Sequence, residues 1–118
     1  MLGCTMLANT KYKRGSITDL RLAGDLHQKA CDHKASMSCR SLGTAYLYGI
    51  GRPKKPVRGA ALFRKACNDS EWHSCQRLAE LYERGAEGIQ KNPLKANTFF
   101  EKACKGGLKT ACDKVKSE

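Results

Sequence analysis

Apolar residues return at intervals of three and four along most of this chain, as at Leu42 and Tyr46, at Leu78, Ala79 and Tyr82, and at Ala96, Phe99 and Phe100. That spacing marks one face of an α-helix. The pattern also repeats on a longer scale. Leu7, Leu42 and Leu78 are each followed by a small residue: Ala8, Gly43 and Ala79. Tyr46 and Tyr82 share a register, as do Gly49 and Gly85, while Lys11 takes the tyrosine position of the first unit. Ala23, Gly59 and Ala96 form a further register, and so do Leu26, Leu62 and Phe99. A recurrence of 36 to 37 positions with this inner spacing predicts two-helix units stacked in a row.

In the second unit the pattern predicts helix A from roughly Ala35 to Tyr48 and helix B from roughly Val57 to Cys67. Pro56 and Pro93 fall in the first turns of B helices, where a missing N–H costs nothing, and Asn92 is a fitting N-cap. Gly49, Gly51, Gly85 and Gly88 suit left-handed backbone in the A-to-B turns, and Gly106-Gly107 marks the last B-to-A turn. Small residues at Gly43 and Ala79, and at Gly59 and Ala96, allow close helix contact. Leu42, Tyr46, Leu62, Phe63, Leu78, Tyr82, Phe99 and Phe100 are the expected core. The expected fold is an all-α solenoid forming one domain over 1–118. It divides into a degenerate truncated repeat over 1–31, repeats over 32–67 and 68–104, and a capping helix over 105–118.

Cysteine spacing obeys the same period. Cys31 and Cys39, Cys67 and Cys75, and Cys104 and Cys112 are each eight positions apart, and Ala-Cys preceded by lysine opens every pair. Eight residues of one helix span about 12 Å, whereas a disulfide needs Cα atoms within about 7 Å. The pairs can therefore bond only if a turn separates them, which Asn68-Asp69-Ser70 supplies for the second pair. Closing such a loop contributes roughly 2–3 kcal/mol in the chain-entropy model. Zinc is the competing reading, since His33 and His73 lie near cysteines. Zinc sites, however, use two-to-four-residue spacers between ligands, which are missing here, so the sequence calls for no metal and no cofactor. Cys4 has no partner at this spacing. It is a free thiol or pairs outside the chain.

Seven cysteines in 118 residues point to an oxidising compartment: the periplasm, the cell exterior or the mitochondrial intermembrane space. The first residues, Met1 to Leu7, have neither the basic nor the apolar segment of a signal peptide, so the expectation is a start further upstream or a fragment. No apolar run approaches the roughly 20 residues needed to span a bilayer. There are 22 Lys and Arg against 11 Asp and Glu, a net charge of +11, with the tightest cluster at Arg52, Lys54, Lys55 and Arg58. This favours association with anionic surfaces. Charge alone supports nucleic-acid binding, and no stacking motif accompanies it.

The pattern Cys39-x-x-Leu42-Gly43-x-x-Tyr46-x-x-Gly49-x-Gly51, followed by Phe63-x-Lys65-Ala66-Cys67, resembles the SEL-one-like repeat family, a relative of tetratricopeptide repeats. The paired cysteines are similar to those of its cysteine-rich branch, typified by the Helicobacter cysteine-rich proteins. The resemblance covers nearly the whole chain. It implies a secreted or periplasmic solenoid that binds through its concave face, and it carries the family's description as penicillin-binding proteins or weak β-lactamases.

The residues themselves do not favour such catalysis. A serine β-lactamase places lysine three positions after its nucleophile. Ser16, Ser36, Ser38, Ser41, Ser70 and Ser74 are followed there by Asp19, Cys39, Ser41, Thr44, His73 and Arg77. Ser70 and His73 share a turn without an evident orienting carboxylate. His27, His33 and His73 form no metal motif. The sequence thus points to a protein- or peptide-binding scaffold. β-Lactam binding or hydrolysis and a mitochondrial assembly factor of the same repeat class are the alternatives. If A helices line the concave face, Arg40, Ser41 and Thr44 present outward with Gln76, Arg77 and Glu80 at matching positions. Arg40 and Arg77 could then clamp a carboxylate-bearing or cell-wall-derived ligand.

Overall fold

A computed structural model describes residues 21–115. Cys4, Leu7, Ala8 and Lys11 lie outside that range. The described chain is helical over 21–32 (α1), then in α2 (Ser36–Tyr48), α3 (Pro56–Asn68), α4 (Trp72–Arg84), α5 (Pro93–Lys105) and the short α6 (Lys109–Cys112). Helix α2 packs on α3 and α4 on α5, each an A–B pair, while α3 against α4 joins one pair to the next.

Each B helix ends in the same way. The carbonyl of the alanine before the first cysteine accepts the N–H five residues on: Ala35 to Ala30 at 2.9 Å, Glu71 to Ala66 at 3.0 Å and Leu108 to Ala103 at 3.1 Å. The cysteine carbonyl accepts the N–H three residues on, from Lys34, Ser70 and Gly107. This is the Schellman arrangement, which requires a left-handed residue just past the helix. That residue is Lys34 (φ 71°), Ser70 (φ 70°) or Gly107 (φ 104°). The reversal brings the next helix alongside and bonds Cys31 to Cys39, Cys67 to Cys75 and Cys104 to Cys112, with Cα separations of 4.7, 4.7 and 4.5 Å.

A-to-B loops return to a tyrosine carbonyl. The Lys55 N–H donates to Tyr46 and the Asn92 N–H to Tyr82, both at 2.7 Å. Pro56 and Pro93 then open α3 and α5, and the Asn92 side chain accepts from the Lys95 N–H at 3.1 Å. The observed helices differ slightly from the sequence expectation. Ala35 is the N-cap of α2 rather than its first residue, and α3 runs from Pro56 to Asn68, because proline pre-sets the first helical turn and the Schellman bonds hold the last.

Gly43 and Gly59 set the α2–α3 distance. A Cβ on Gly59 would lie 2.7 Å from the Gly43 carbonyl oxygen. The core holds Leu42, Phe63, Leu78 and Phe100, with all four cysteines of the first two disulfides at 0% exposure. The expected core members Tyr46, Leu62, Tyr82 and Phe99 are only half-buried, and Leu26 is exposed. The tyrosine hydroxyls pair with arginines, Tyr46 with the inward-turned Arg52 and Tyr82 with the exposed Arg64. Among the described residues no helix is long and apolar enough to cross a membrane.

Candidate functional site

Three places bring chemically useful side chains together. The first is the A-helix side. Glu71 caps α4: its Oε1 accepts from the Ser74 N–H and from the Ser74 hydroxyl, each at 2.9 Å. Its Oε2 lies 3.4 Å from Arg40 Nη1, so the Arg40 guanidinium ties α2 to the start of α4. The Thr44 hydroxyl turns back to the Arg40 carbonyl at 3.1 Å, and Ser41 and Thr44 line a small cavity of about 220 Å³ with His27 and Ile50. One unit on, Arg77 lies 3.7 Å from Glu80, and the Gln76 amide donates to Glu80 at 3.4 Å while accepting from the Thr110 hydroxyl at 2.9 Å. The structure thus gathers Gln76, Arg77 and Glu80 into one network and places Arg40 in another. Both guanidiniums already hold a carboxylate of this chain.

The second place is the basic A-to-B loop. Arg52 points inward, donating from Nη1 to the Tyr46 hydroxyl at 3.1 Å and pairing through Nη2 with Asp25 of α1 at 3.3 Å. Its guanidinium lies 5.1 Å from the Tyr46 ring centre, and that of Arg58 lies 4.9 Å away. Gly24 of α1 lies directly against the Arg52 guanidinium, so a side chain there would push the arginine aside. Burial raises the Tyr46 pKa, but hydrogen bonds and positive charge from Arg52 and Arg58 outweigh it and hold the phenol below 10.0. Lys54 and Lys55 remain exposed.

Of the third place the sequence shows only part of the basic rim, Lys54, Lys55 and Arg58, and not the recess itself. Two adjoining cavities, of about 400 and 590 Å³, share Val57, Ala61 and Gly88 along the outer side of α3, and the 400 Å³ cavity extends to Tyr82, Ile89 and Lys95. Its residues come from α3, α4, α5 and the loop between α4 and α5, so no local motif announces it. Gly88 (φ 80°) makes it possible, since a Cβ there would lie 2.6 Å from Val57 Cγ2.

His33 and His73 are exposed, and His27 meets the Ser38 hydroxyl at 3.4 Å. Ser70 is a left-handed turn residue and Ser74 is buried on Glu71. Among the described residues no three His, Cys, Asp or Glu side chains are grouped to hold a metal ion.

Comparison with known proteins agrees with this geometry. The Sel1 repeat profile matches residues 2–34, 36–70 and 72–108. The chain is 32% identical over 105 residues to cytochrome c oxidase assembly factor 7 of Xenopus tropicalis, covering 85% of this chain and 46% of that protein. It is 31% identical over 117 residues to the protein of the same name from Danio rerio, covering 93% and 50%. The chain therefore spans about half the length of these curated relatives. Among solved structures it resembles Helicobacter pylori cysteine-rich protein B, with a TM-score of 0.73 and 25% identity over 90% of this chain and 93% of that one. A Sel1 repeat protein from Oxalobacter formigenes shares the fold at a TM-score of 0.74 and 23% identity, over 81% of this chain and 39% of that one.

Proposed function

The chain belongs to the Sel1 repeat family, and from that premise we propose that it is a non-catalytic scaffold that holds partner proteins in an oxidising compartment. The observation that carries this reading is the row of three disulfides, one at every B-to-A turn of the described chain. Such cross-links persist where thiols are oxidised and are rare where glutathione keeps them reduced. Short solenoid stacks expose long surfaces suited to protein contact.

Within that reading the proposed task is assembly of a respiratory oxidase, with the mitochondrial intermembrane space as the proposed compartment in preference to the periplasm. Support comes from relatives named cytochrome c oxidase assembly factor 7. On the A-helix face, Arg40, Ser41, Thr44, Gln76, Arg77 and Glu80 are the proposed contacts. A partner carboxylate there competes with Glu71 and Glu80 for the arginines.

The test is depletion of the protein in its own cells. Loss of assembled cytochrome c oxidase, with thiol trapping at lysis showing the three disulfides formed, is expected. Full oxidase content, or free thiols at these six cysteines in the cell, overturns the assignment.

A further inference from the structure

We propose that the groove along the outer side of α3, roofed by the loop between α4 and α5, docks an acidic segment of a partner protein that carries apolar anchor side chains. This rests on the scaffold reading and names a surface and a partner chemistry for it.

The floor is apolar and open. Val57 is 55% exposed, Ala61 is exposed, and Ile89 and Ala60 line the recess beside them. The walls of the two cavities carry Lys54, Lys55, Arg58, Arg64 and Lys95 against one carboxylate, Glu87. None of these five cations has a carboxylate partner among the described residues, where the ion pairs are Arg40–Glu71, Arg52–Asp25 and Arg77–Glu80. Arg40 and Arg77 are thus already paired, while five cations without a carboxylate partner rim the groove. A ligand with carboxylates spaced around apolar side chains matches both parts, and complementary charge steers its approach.

Other occupants fit less well. Single-stranded nucleic acid is held on free aromatic faces where bases stack. Here Tyr82 stacks on Phe99 at 5.9 Å, Lys95 lies 5.3 Å from the Tyr82 ring centre, and Arg64 covers Phe99 at 5.9 Å while donating to the Tyr82 hydroxyl at 2.6 Å. A lipid surface presents a plane of headgroups that meets the rim and leaves the recessed floor unfilled. A second copy, at +11, is repelled.

The experiment measures anisotropy of a short fluorescein-labelled peptide of glutamate and leucine with the intact, oxidised chain. Comparison ligands are the same peptide with glutamine for glutamate, the same peptide with serine for leucine, oligouridylate, and phosphatidylserine vesicles. The variants are Ala61→Glu and Arg58→Glu, both at exposed positions, and Lys109→Glu, which makes the same charge change as Arg58→Glu away from the groove. Circular dichroism verifies their folding. The expected result is binding of the glutamate–leucine peptide to the wild type and to Lys109→Glu. Affinity should fall by at least about tenfold with Ala61→Glu and Arg58→Glu, and with either altered peptide, as salt-sensitive rim contacts and a blocked floor require. Absence of binding to the wild type overturns the proposal, as does groove-dependent binding of oligouridylate or vesicles in place of the peptide. Equal affinity for the wild type and Ala61→Glu overturns the groove alone, because the cellular oxidase assay judges the scaffold reading separately.

Discussion

Tyr46 shows how one side chain joins two roles. Its carbonyl anchors the A-to-B loop and its ring and hydroxyl hold Arg52 and Arg58. The folded phenol ionises below 10.0, near which an unfolded tyrosine titrates. A depressed acid stabilises the fold in its charged form. That stabilisation is complete above the unfolded pKa and is lost as pH falls through the folded one. A difference titration of wild type against Tyr46→Phe by phenolate absorbance should give a midpoint below 10.0, which Arg58→Met raises. A midpoint unmoved by that substitution contradicts the arginine mechanism. Gly107 isolates a backbone effect. At φ 104° with open space around it, only conformation opposes a side chain. Gly107→Ala should lower stability by about 1–2 kcal/mol in urea unfolding, and an unchanged midpoint would show that the turn relaxes freely.

Among the elements, the α2–α3 pair depends on two glycines facing each other. Alanine at position 59 gains helix propensity of about 1 kcal/mol, but its Cβ meets the Gly43 backbone oxygen, which has no rotamer with which to yield. Overpacking of this kind costs about 1–3 kcal/mol. Gly59→Ala should therefore lower the melting temperature despite the better propensity. A rise in melting temperature would mean that α2 and α3 separate at no cost. Their register was readable beforehand, because small residues recur at fixed positions. The exact helix ends were not, because Schellman bonds and N-terminal proline act one residue beyond the apolar period.

Across the whole molecule the three disulfides are alike in sequence and unlike in setting. Cys31, Cys39, Cys67 and Cys75 are fully buried, whereas Cys104 is half-buried and Cys112 exposed. A reductant's thiolate must reach sulfur to exchange with it. Graded reduction followed by alkylation and mass spectrometry should label Cys104 and Cys112 first. Labelling of all six together would show that global opening precedes reduction. Removal of a buried link is the complementary test: Cys67→Ser should cost about 2–3 kcal/mol, read as a lower urea midpoint.

The periodic features needed nothing beyond the sequence. Helix type, unit length, cysteine partners, N-terminal prolines and left-handed glycines all follow from short-range rules, since a 36-residue unit contacts chiefly its neighbours. What tertiary structure decided was the fate of polar groups brought together from distant positions. Arg40 and Arg77 look alike in sequence as free cations, one and two places after their cysteines, yet Glu71, 31 residues beyond Arg40, takes one, and Glu80 takes the other. Arg52 sits in a run of surface charge but folds inward, where Asp25 of α1 and the Tyr46 hydroxyl receive it. The groove beside α3 exists only once Gly88 brings a later loop onto Val57. Charge pairing and cavity shape depend on distances across the stack, and a one-dimensional period does not contain those distances.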